Sequence, residues 1–242
     1  RKLIKSLDVD FNKANIKVGR DTLFSVLRKH QMLTLRKKTS ARTTNSYHRF
    51  YKYNNIIKDL EVTRPNQVWV SDITYIRTVK GFCYLALITD MYSRKIVGYD
   101  LSDSLELKGC VRALNKSIYQ AKNIKQFIHH SDRGIQYCCK EYVKLLQDNS
   151  IAISMTENGD PLENALAERI NGIIKGEYLD CYEVNSIQEA NELLSQVITL
   201  YNQERPHMSI GNKTPEEVHQ TNQKIDRLWK NYYPKNRTLV NQ

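Results

Sequence analysis

Three carboxylates in this chain occupy positions that favour metal-dependent chemistry. Asp72 lies in the middle of a β-branched and aromatic run, on the same strand face as Val68 and Val70. A charged side chain in such a setting is costly unless it is paired or binds a metal ion. The alternative is a half-exposed strand residue, because Thr74 shares that face. The sequence around Asp72 leaves both interpretations open.

Asp132 and Glu168 lie on later elements and also have two interpretations each. Asp132 directly follows the apolar run at residues 127–130, and α/β folds place ligands at the carboxyl ends of their strands. The alternative for Asp132 is an Asp turn closed on Gly134. Glu168 lies at the edge of the apolar stripe of a helix predicted over residues 161–178, where a solvent-facing Glu is the alternative.

The chemistry that three such carboxylates favour is phosphoryl transfer. Their hard oxygen ligands suit Mg²⁺, which keeps some water or phosphate oxygens when it binds a protein. Two such ions can activate the attacking oxygen and stabilise the leaving oxygen. Because the three residues belong to separate predicted elements, they meet only if the fold brings two strands and one helix together.

The elements that must position these side chains indicate an α/β fold with a mixed five-stranded sheet flanked by helices. Strands are predicted at residues 67–76, 82–89, 95–100, 127–130 and 151–155. Helices are predicted at residues 107–118, 140–148, 161–178 and 187–201. The first three strands are closely spaced, which is typical of an antiparallel meander. Residues 1–35 are also predicted to be helical, and Gly172 and Gly176 weaken the helix at 161–178.

The positive charge of the chain is confined to its first quarter. Residues 1–65 hold 16 Lys and Arg against 5 Asp and Glu, whereas residues 66–242 hold 21 of each. A basic arm joined to a neutral domain is typical of a protein that meets a polyanion such as nucleic acid. A solvated basic tail that aids solubility is the alternative. The basic stretch at residues 35–44 has no apolar period, which favours a linker or an extended arm.

Several features of the composition bear on the compartment. No apolar run approaches the roughly 20 residues that a membrane span requires, so no membrane is expected as a partner. The five cysteines form no CxxC pair and no signal-peptide stretch is present, which predicts reduced thiols in a cytoplasmic protein. Since the chain begins with Arg1 rather than Met, we expect a fragment or a processed form.

The motifs around the carboxylates resemble those of a known family. The 35 residues between Asp132 and Glu168, after an Asp on the first strand, resemble the D,D(35)E pattern of retroviral integrases and related bacterial transposases. The residues within these motifs are closer to those of the transposases of the IS3 family of insertion sequences. The matching segments are NQVWVSDITY at 66–75, HSDRGIQY at 130–137, ENALAE at 163–168, and YN, RPH and TP at 201–202, 205–207 and 214–215.

This resemblance implies an RNase H-like fold in which Asp72, Asp132 and Glu168 are the catalytic residues and the metal ligands. It implies two Mg²⁺ ions, with Mn²⁺ as a substitute, and a DDE transposase that nicks and joins the DNA of an insertion element. The expected partners are double-stranded DNA and further copies of the chain, in the bacterial cytoplasm with the nucleoid. Lys175 matches a basic position that is associated with DNA contact in integrases.

The resemblance also implies a domain organisation. Residues 1–45 would be a basic helical DNA-binding arm, the end of a helix-turn-helix region with its linker. Residues 46–65 would be a linker, residues 66–220 the integrase core with C-terminal helices, and residues 221–242 a tail. The DNA-binding residues expected in the arm are Arg36, Lys37, Lys38 and Arg42.

Two alternative functions remain open, and the sequence departs from the family pattern at two places. The chain would otherwise be a catalytically decayed, transposase-derived DNA-binding protein, or an RNase H-like nuclease that cuts without joining. Leu162-Glu163 stands where the family often has Tyr-Asp, and Arg169-Ile170-Asn171 stands where Ser-Phe-Phe is common. We expect neither departure to contact the three carboxylates.

Overall fold

The computed structural model describes residues 2–33, 48–121, 126–157, 161–221 and 225. Strands of this part are β1 (Val68–Thr78), β2 (Gly81–Asp90), β3 (Ile96–Ser102), β4 (Ile128–Ser131) and β5 (Ala152–Met155). Its α-helices are α1 (Lys2–Lys13), α2 (Arg20–Lys29), α3 (Leu107–Gln120), α4 (Ile135–Cys138), α5 (Lys140–Asp148), α6 (Ala165–Ile173), α7 (Ile187–Glu204) and α8 (Pro215–Gln220). Within the described ranges, no helix is both long enough and apolar enough to cross a bilayer.

The five strands form one mixed sheet in the order β3-β2-β1-β4-β5, which confirms the predicted architecture. The strands β1, β2 and β3 are antiparallel neighbours, whereas β4 pairs parallel to β1 and β5 pairs parallel to β4. The parallel register aligns Ser71 with Ser131. The next residue on each chain is a carboxylate, Asp72 on β1 and Asp132 after β4, so the register sets the two side by side.

The two faces of the sheet are covered by different helices, because alternate residues of a strand point to opposite faces. Leu85 and Leu87 of β2 belong to the core that also contains buried residues of α6 and α7. Ala86 and Ile88 belong to the core that contains buried residues of α3 and α5. The sheet is therefore the middle layer between two helical layers, and α6 lies against the face opposite to α3.

The helix predicted over residues 161–178 is three segments in the structure. A 3₁₀ turn at Pro161–Asn164 leads into α6, and a π-helix at Ile174–Leu179 continues it. The change to wider turns falls between Gly172 and Gly176, the residue type that favours a regular helix least after proline. The prediction of helical structure here is correct in extent, but the winding changes within it.

Two short helices were absent from the sequence prediction, and one of them had a signal in the sequence. Thr214 caps α8 through a capping box with Glu217, and Pro215 stands at the first helical position. The other, α4, is one turn between Asp132 and α5 and has no side-chain cap. Both helices are too short to establish an apolar period.

Candidate active site

Asp72 is a half-buried carboxylate whose two oxygens are both engaged. Its Oδ1 accepts a hydrogen bond from the backbone N–H of Ile73 at 2.9 Å, and its Oδ2 accepts one from Asn171 Nδ2 at 2.8 Å. The pKa of Asp72 is raised to about 7, first by burial, then by the charge of Asp132, and to a smaller degree by Glu168. These two hydrogen bonds act in the opposite direction. The negative charges of Asp132 and Glu168 therefore both act on Asp72.

Asp132 occupies the loop that follows β4, at the carboxyl end of that strand. Its Oδ1 accepts a hydrogen bond from the backbone N–H of Gly134 at 2.9 Å, which is the Asp turn considered above. A Cβ atom at Gly134 would lie 2.9 Å from that same oxygen, so glycine leaves room for the carboxylate. The Asp turn is therefore compatible with a position of Asp132 beside Asp72.

Glu168 lies on the face of α6 that docks onto β1. Asn164 Nδ2 donates to the backbone carbonyl of Ser71 at 3.1 Å, and Asn171 Nδ2 donates to Asp72. Positions 164, 168 and 171 share one side of a helix, because residues four and seven apart are neighbours along its surface. Glu168 is exposed to solvent between these two contacts, and its charge reaches Asp72.

Asn171 was not found by sequence reasoning, which assigned it to a departure without contact to the carboxylates. That expectation is wrong, because the Asn171 amide donates directly to Asp72 Oδ2. Asn171 is buried, and within the described residues its Oδ1 has no hydrogen-bond partner. The seven-residue separation between Asn164 and Asn171 indicates a shared helix face, but the sequence does not indicate what that face packs against.

His130 is buried and connects three elements around the site. Its Nε2 donates to the backbone carbonyl of Glu163 at 3.0 Å, so its Nδ1 accepts from Ser154 Oγ at 2.9 Å in the neutral ring. Burial lowers the pKa of His130, which favours that neutral form. His130 therefore ties β4 to β5 and to the turn that begins α6.

The neighbouring His129 faces the other side of the sheet. Its Nε2 lies 2.7 Å from Ser71 Oγ and 3.0 Å from the hydroxyl of Tyr142. Burial, followed by the nearby His130, lowers the pKa of His129 to about 3. A neutral imidazole therefore supports the strand residue that precedes Asp72.

The charges of the other two carboxylates act on Asp72, but the three side chains do not form a ready-made metal site. Among the described residues, no three His, Cys, Asp or Glu side chains are already grouped to hold a metal ion. The carboxylate oxygens are engaged locally, since Ile73 and Asn171 donate to Asp72 and Gly134 donates to Asp132.

The basic residues predicted to bind DNA fall in two places. Lys175 is half-buried on the π-helix that continues α6, and its backbone carbonyl accepts from Asp180 at 2.8 Å. Arg205 of the RPH motif, itself buried, forms two 2.7 Å hydrogen bonds with Glu177 of the same π-helix. That motif thereby holds the segment that carries Lys175. The four arm residues lie outside the described residues, namely Arg36, Lys37, Lys38 and Arg42.

Two overlapping parts of the chain match family models described as Integrase core domain, over residues 62–161 and 149–215. An insertion element IS600 protein of Shigella sonnei, described as an uncharacterized 31 kDa protein, is 35% identical over 223 residues, which cover 89% of this chain and 82% of that protein. Transposase InsF for insertion sequence IS3A of Escherichia coli strain K12 is 30% identical over 171 residues, which cover 70% of this chain and 59% of InsF.

A solved structure agrees with the architecture. The catalytic core domain of HTLV-2 integrase, in complex with magnesium in a trimeric form, matches with a TM-score of 0.53 at 20% identity, covering 65% of this chain and 98% of that one. At that identity the likeness concerns the fold alone. The RNase H-like fold expected from the sequence is confirmed.

Proposed function

This chain belongs to the IS3 family of insertion-sequence transposases, and from that premise we propose that Asp72, Asp132 and Glu168 form the catalytic site at which it nicks and joins DNA. As a DDE transposase of an insertion element, it is a polynucleotidyl transferase. The observation that carries the proposal is the convergence of the three carboxylates, since both Asp132 and Glu168 act on Asp72. The neighbouring strands and the docked helix of the fold support it.

The donor set fits a divalent cation. All three side chains offer hard oxygen ligands, and their mutual repulsion is what a cation between them would relieve. We expect Asp72, Asp132 and Glu168 to hold two Mg²⁺ ions, with Mn²⁺ as a substitute. When bound, the ions supply Lewis-acid polarisation of the phosphodiester and a lowered pKa of the attacking oxygen.

The residues of the chain itself orient these groups. Asn171 fixes the rotation of the Asp72 carboxylate, and Gly134 fixes that of Asp132. Asn164 holds the start of α6 against β1, which keeps Glu168 facing the two aspartates. Orientation of this kind lowers the entropic cost of bringing the reacting groups together.

Basic residues on both sides of the core are proposed to bind DNA. Lys175 would contact the DNA beside Glu168, and residues 1–45 would form the arm that ends a helix-turn-helix region. Within the arm, the residues proposed to neutralise phosphates are Arg36, Lys37, Lys38 and Arg42. Residues 46–65 would join this arm to the core at 66–220, followed by the tail at 221–242.

The assembly is proposed from the reaction. Joining requires two DNA segments at one site, so we propose a homo-oligomer on double-stranded DNA, in the cytoplasm with the nucleoid. The HTLV-2 integrase core in its trimeric form gives one example of self-association in this fold.

The test is joining of a labelled, pre-nicked element end to target DNA in Mg²⁺ and in Mn²⁺. We expect the parent chain to join in both metals, and Asp132→Ala and Asp72→Asn to lose at least about a thousandfold in rate, as expected when several kcal/mol of metal stabilisation is removed. Both variants should still bind DNA. Calorimetric titration with Mn²⁺ measures the loss of metal binding separately.

The matched control is Asp148→Ala, which removes an exposed carboxylate at the end of α5. It should join like the parent chain. Full joining by Asp132→Ala would sink the assignment, and cleavage without joining by the parent chain would favour the nuclease alternative.

A further inference from the structure

Residues 48–57, here called the strap, run without helix or strand along the edge of the core beside the carboxylates. The backbone carbonyl of Asn54 accepts from the N–H of Met155 at 3.3 Å, and the N–H of Ile56 donates to Ser154 Oγ at 3.1 Å. Ile57 is buried in a small cluster with residues of β1 and α6. The strap is therefore attached to the catalytic body, although the sequence indicated only a linker over 46–65.

The strap also holds both loops that border the site. His48 Nε2 donates to the backbone carbonyl of Arg133 at 2.8 Å, one residue beyond Asp132. At its other end, the N–H of Asn55 donates to Glu157 Oε1 at 3.3 Å. The two loops follow β4 and β5, so the strap spans the opening at the carboxyl ends of these strands.

The strap combines aromatic and basic residues, most of them exposed to solvent. Tyr51 is 72% exposed and Phe50 is 36% exposed, while Arg49 is exposed and Lys52 is half-buried. The Tyr51 ring packs edge-on against Tyr53 with centroids 4.9 Å apart, which holds it in one orientation while it remains accessible. Alternating aromatic and cationic side chains are what proteins use to hold unpaired nucleotides.

The cations of this surface lie at the same corner as Asp132. The pKa of Cys138 is raised to about 11, first by burial and then by Asp132, while Lys52 and Arg133 act in the opposite direction on the same thiol. Among the described residues, the buried Nε of Arg133 has no hydrogen-bond partner. Two cations that both act on a thiol beside Asp132 supply positive charge that suits a phosphate oxygen.

We propose that the strap is a nucleobase-binding site at which Tyr51 and Phe50 stack on unpaired bases of the DNA end, while Lys52 and Arg133 bind the adjoining phosphate. Bases inside a duplex stack on one another and expose only their edges, so an aromatic face finds a free base only where strands have separated. A site beside the carboxylates would keep the opened strand away from the reacting phosphodiester. The inference rests on the proposed function, because it takes DNA as the substrate.

The test measures binding of the full chain to a short blunt duplex and to the same duplex with a single-stranded tail that carries a fluorescent adenine analogue. Tyr51→Ala should lower affinity for the tailed duplex about tenfold, the usual loss for one stacked base, and leave the blunt duplex unaffected. It should also abolish the quenching of the analogue that stacking produces. Tyr51→Phe should retain both, because the ring remains.

The matched control is Tyr119→Ala, which removes a tyrosine that is 90% exposed on α3. It should bind both duplexes like the parent chain. Equal weakening of both duplexes by Tyr51→Ala would overturn the inference in favour of duplex contact, and unchanged binding to both would overturn it outright. Metal-dependent joining by the parent chain in either case would leave the proposed function standing, whereas a parent chain that binds neither duplex would overturn both.

Discussion

The core and the N-terminal helices of this chain are built on different principles. Every helix from α3 to α8 contributes buried side chains. In contrast, none of the α2 side chains, all of them within the described part of the chain, is buried, and Phe24 and Val26 are 42% and 48% exposed. The charge differs in the same way, because the entire excess of positive charge precedes residue 66.

The core and the arm therefore contribute to function in different ways. Burial orders the core without help, so the elements that carry the three carboxylates are in place before any ligand arrives. The arm buries little within the described residues, so its contribution to function must come from what it binds. Its charge fits the proposal that it binds DNA, since counterion release makes such binding favourable and sensitive to salt.

The sharpest test of the contrast is to shorten one apolar side chain to alanine in each region and compare the losses of stability. Leu194→Ala in α7 should lower the free energy of unfolding by about 2–5 kcal/mol, because Leu194 is fully buried and the change leaves a cavity. Val26→Ala in α2 should change it by no more than about 0.5 kcal/mol. Urea unfolding followed by the fluorescence of the buried Trp69 measures both. Equal losses would mean that α2 packs as part of the core.

The core should also carry a pH dependence. Because burial lowers the pKa of His129 to about 3 in the folded protein, the unfolded chain takes up a proton at higher pH than the folded one does. The stability from neutral His129 is full above about pH 6.5 and falls towards pH 3, by about 2 kcal/mol between pH 6.5 and pH 5.

Urea unfolding at a series of pH values measures this slope. His129→Gln removes the titrating ring but keeps hydrogen-bonding atoms near Ser71, so its slope over that range should be smaller. An identical slope in the variant would show that other groups cause the loss of stability in acid.

Removal of residues 1–45 tests the other side of the contrast. Affinity for double-stranded DNA should fall about tenfold or more at low salt, and each lost phosphate contact should reduce the slope of log affinity against log salt by about 0.9. The unfolding transition of the core should remain. Titrations at several salt concentrations measure the slope, and an unchanged slope would reduce the arm to a solubility tail.

The sequence predicted the strands that carry Asp72 and precede Asp132 because the signals for those strands are local. A β-branched run marks β1, and the short strand predicted at residues 127–130 corresponds to β4. The hydrogen bond between Asp72 and Asn171 joins residues 99 apart in the chain, and the strap contacts of Asn55 and Ile56 span 102 and 98 residues. Contacts of that separation depend on how the elements dock, which no local pattern records.

The bond between Asn54 and Met155 has a consequence for the behaviour of the chain in solution. The strand β5 lies at the margin of the sheet, where unpaired backbone groups form a template for pairing with another polypeptide. By accepting from Met155, the strap occupies part of that template with its own backbone. The strap therefore leaves fewer unpaired backbone groups at this edge of the sheet, which disfavours aggregation through edge-strand pairing.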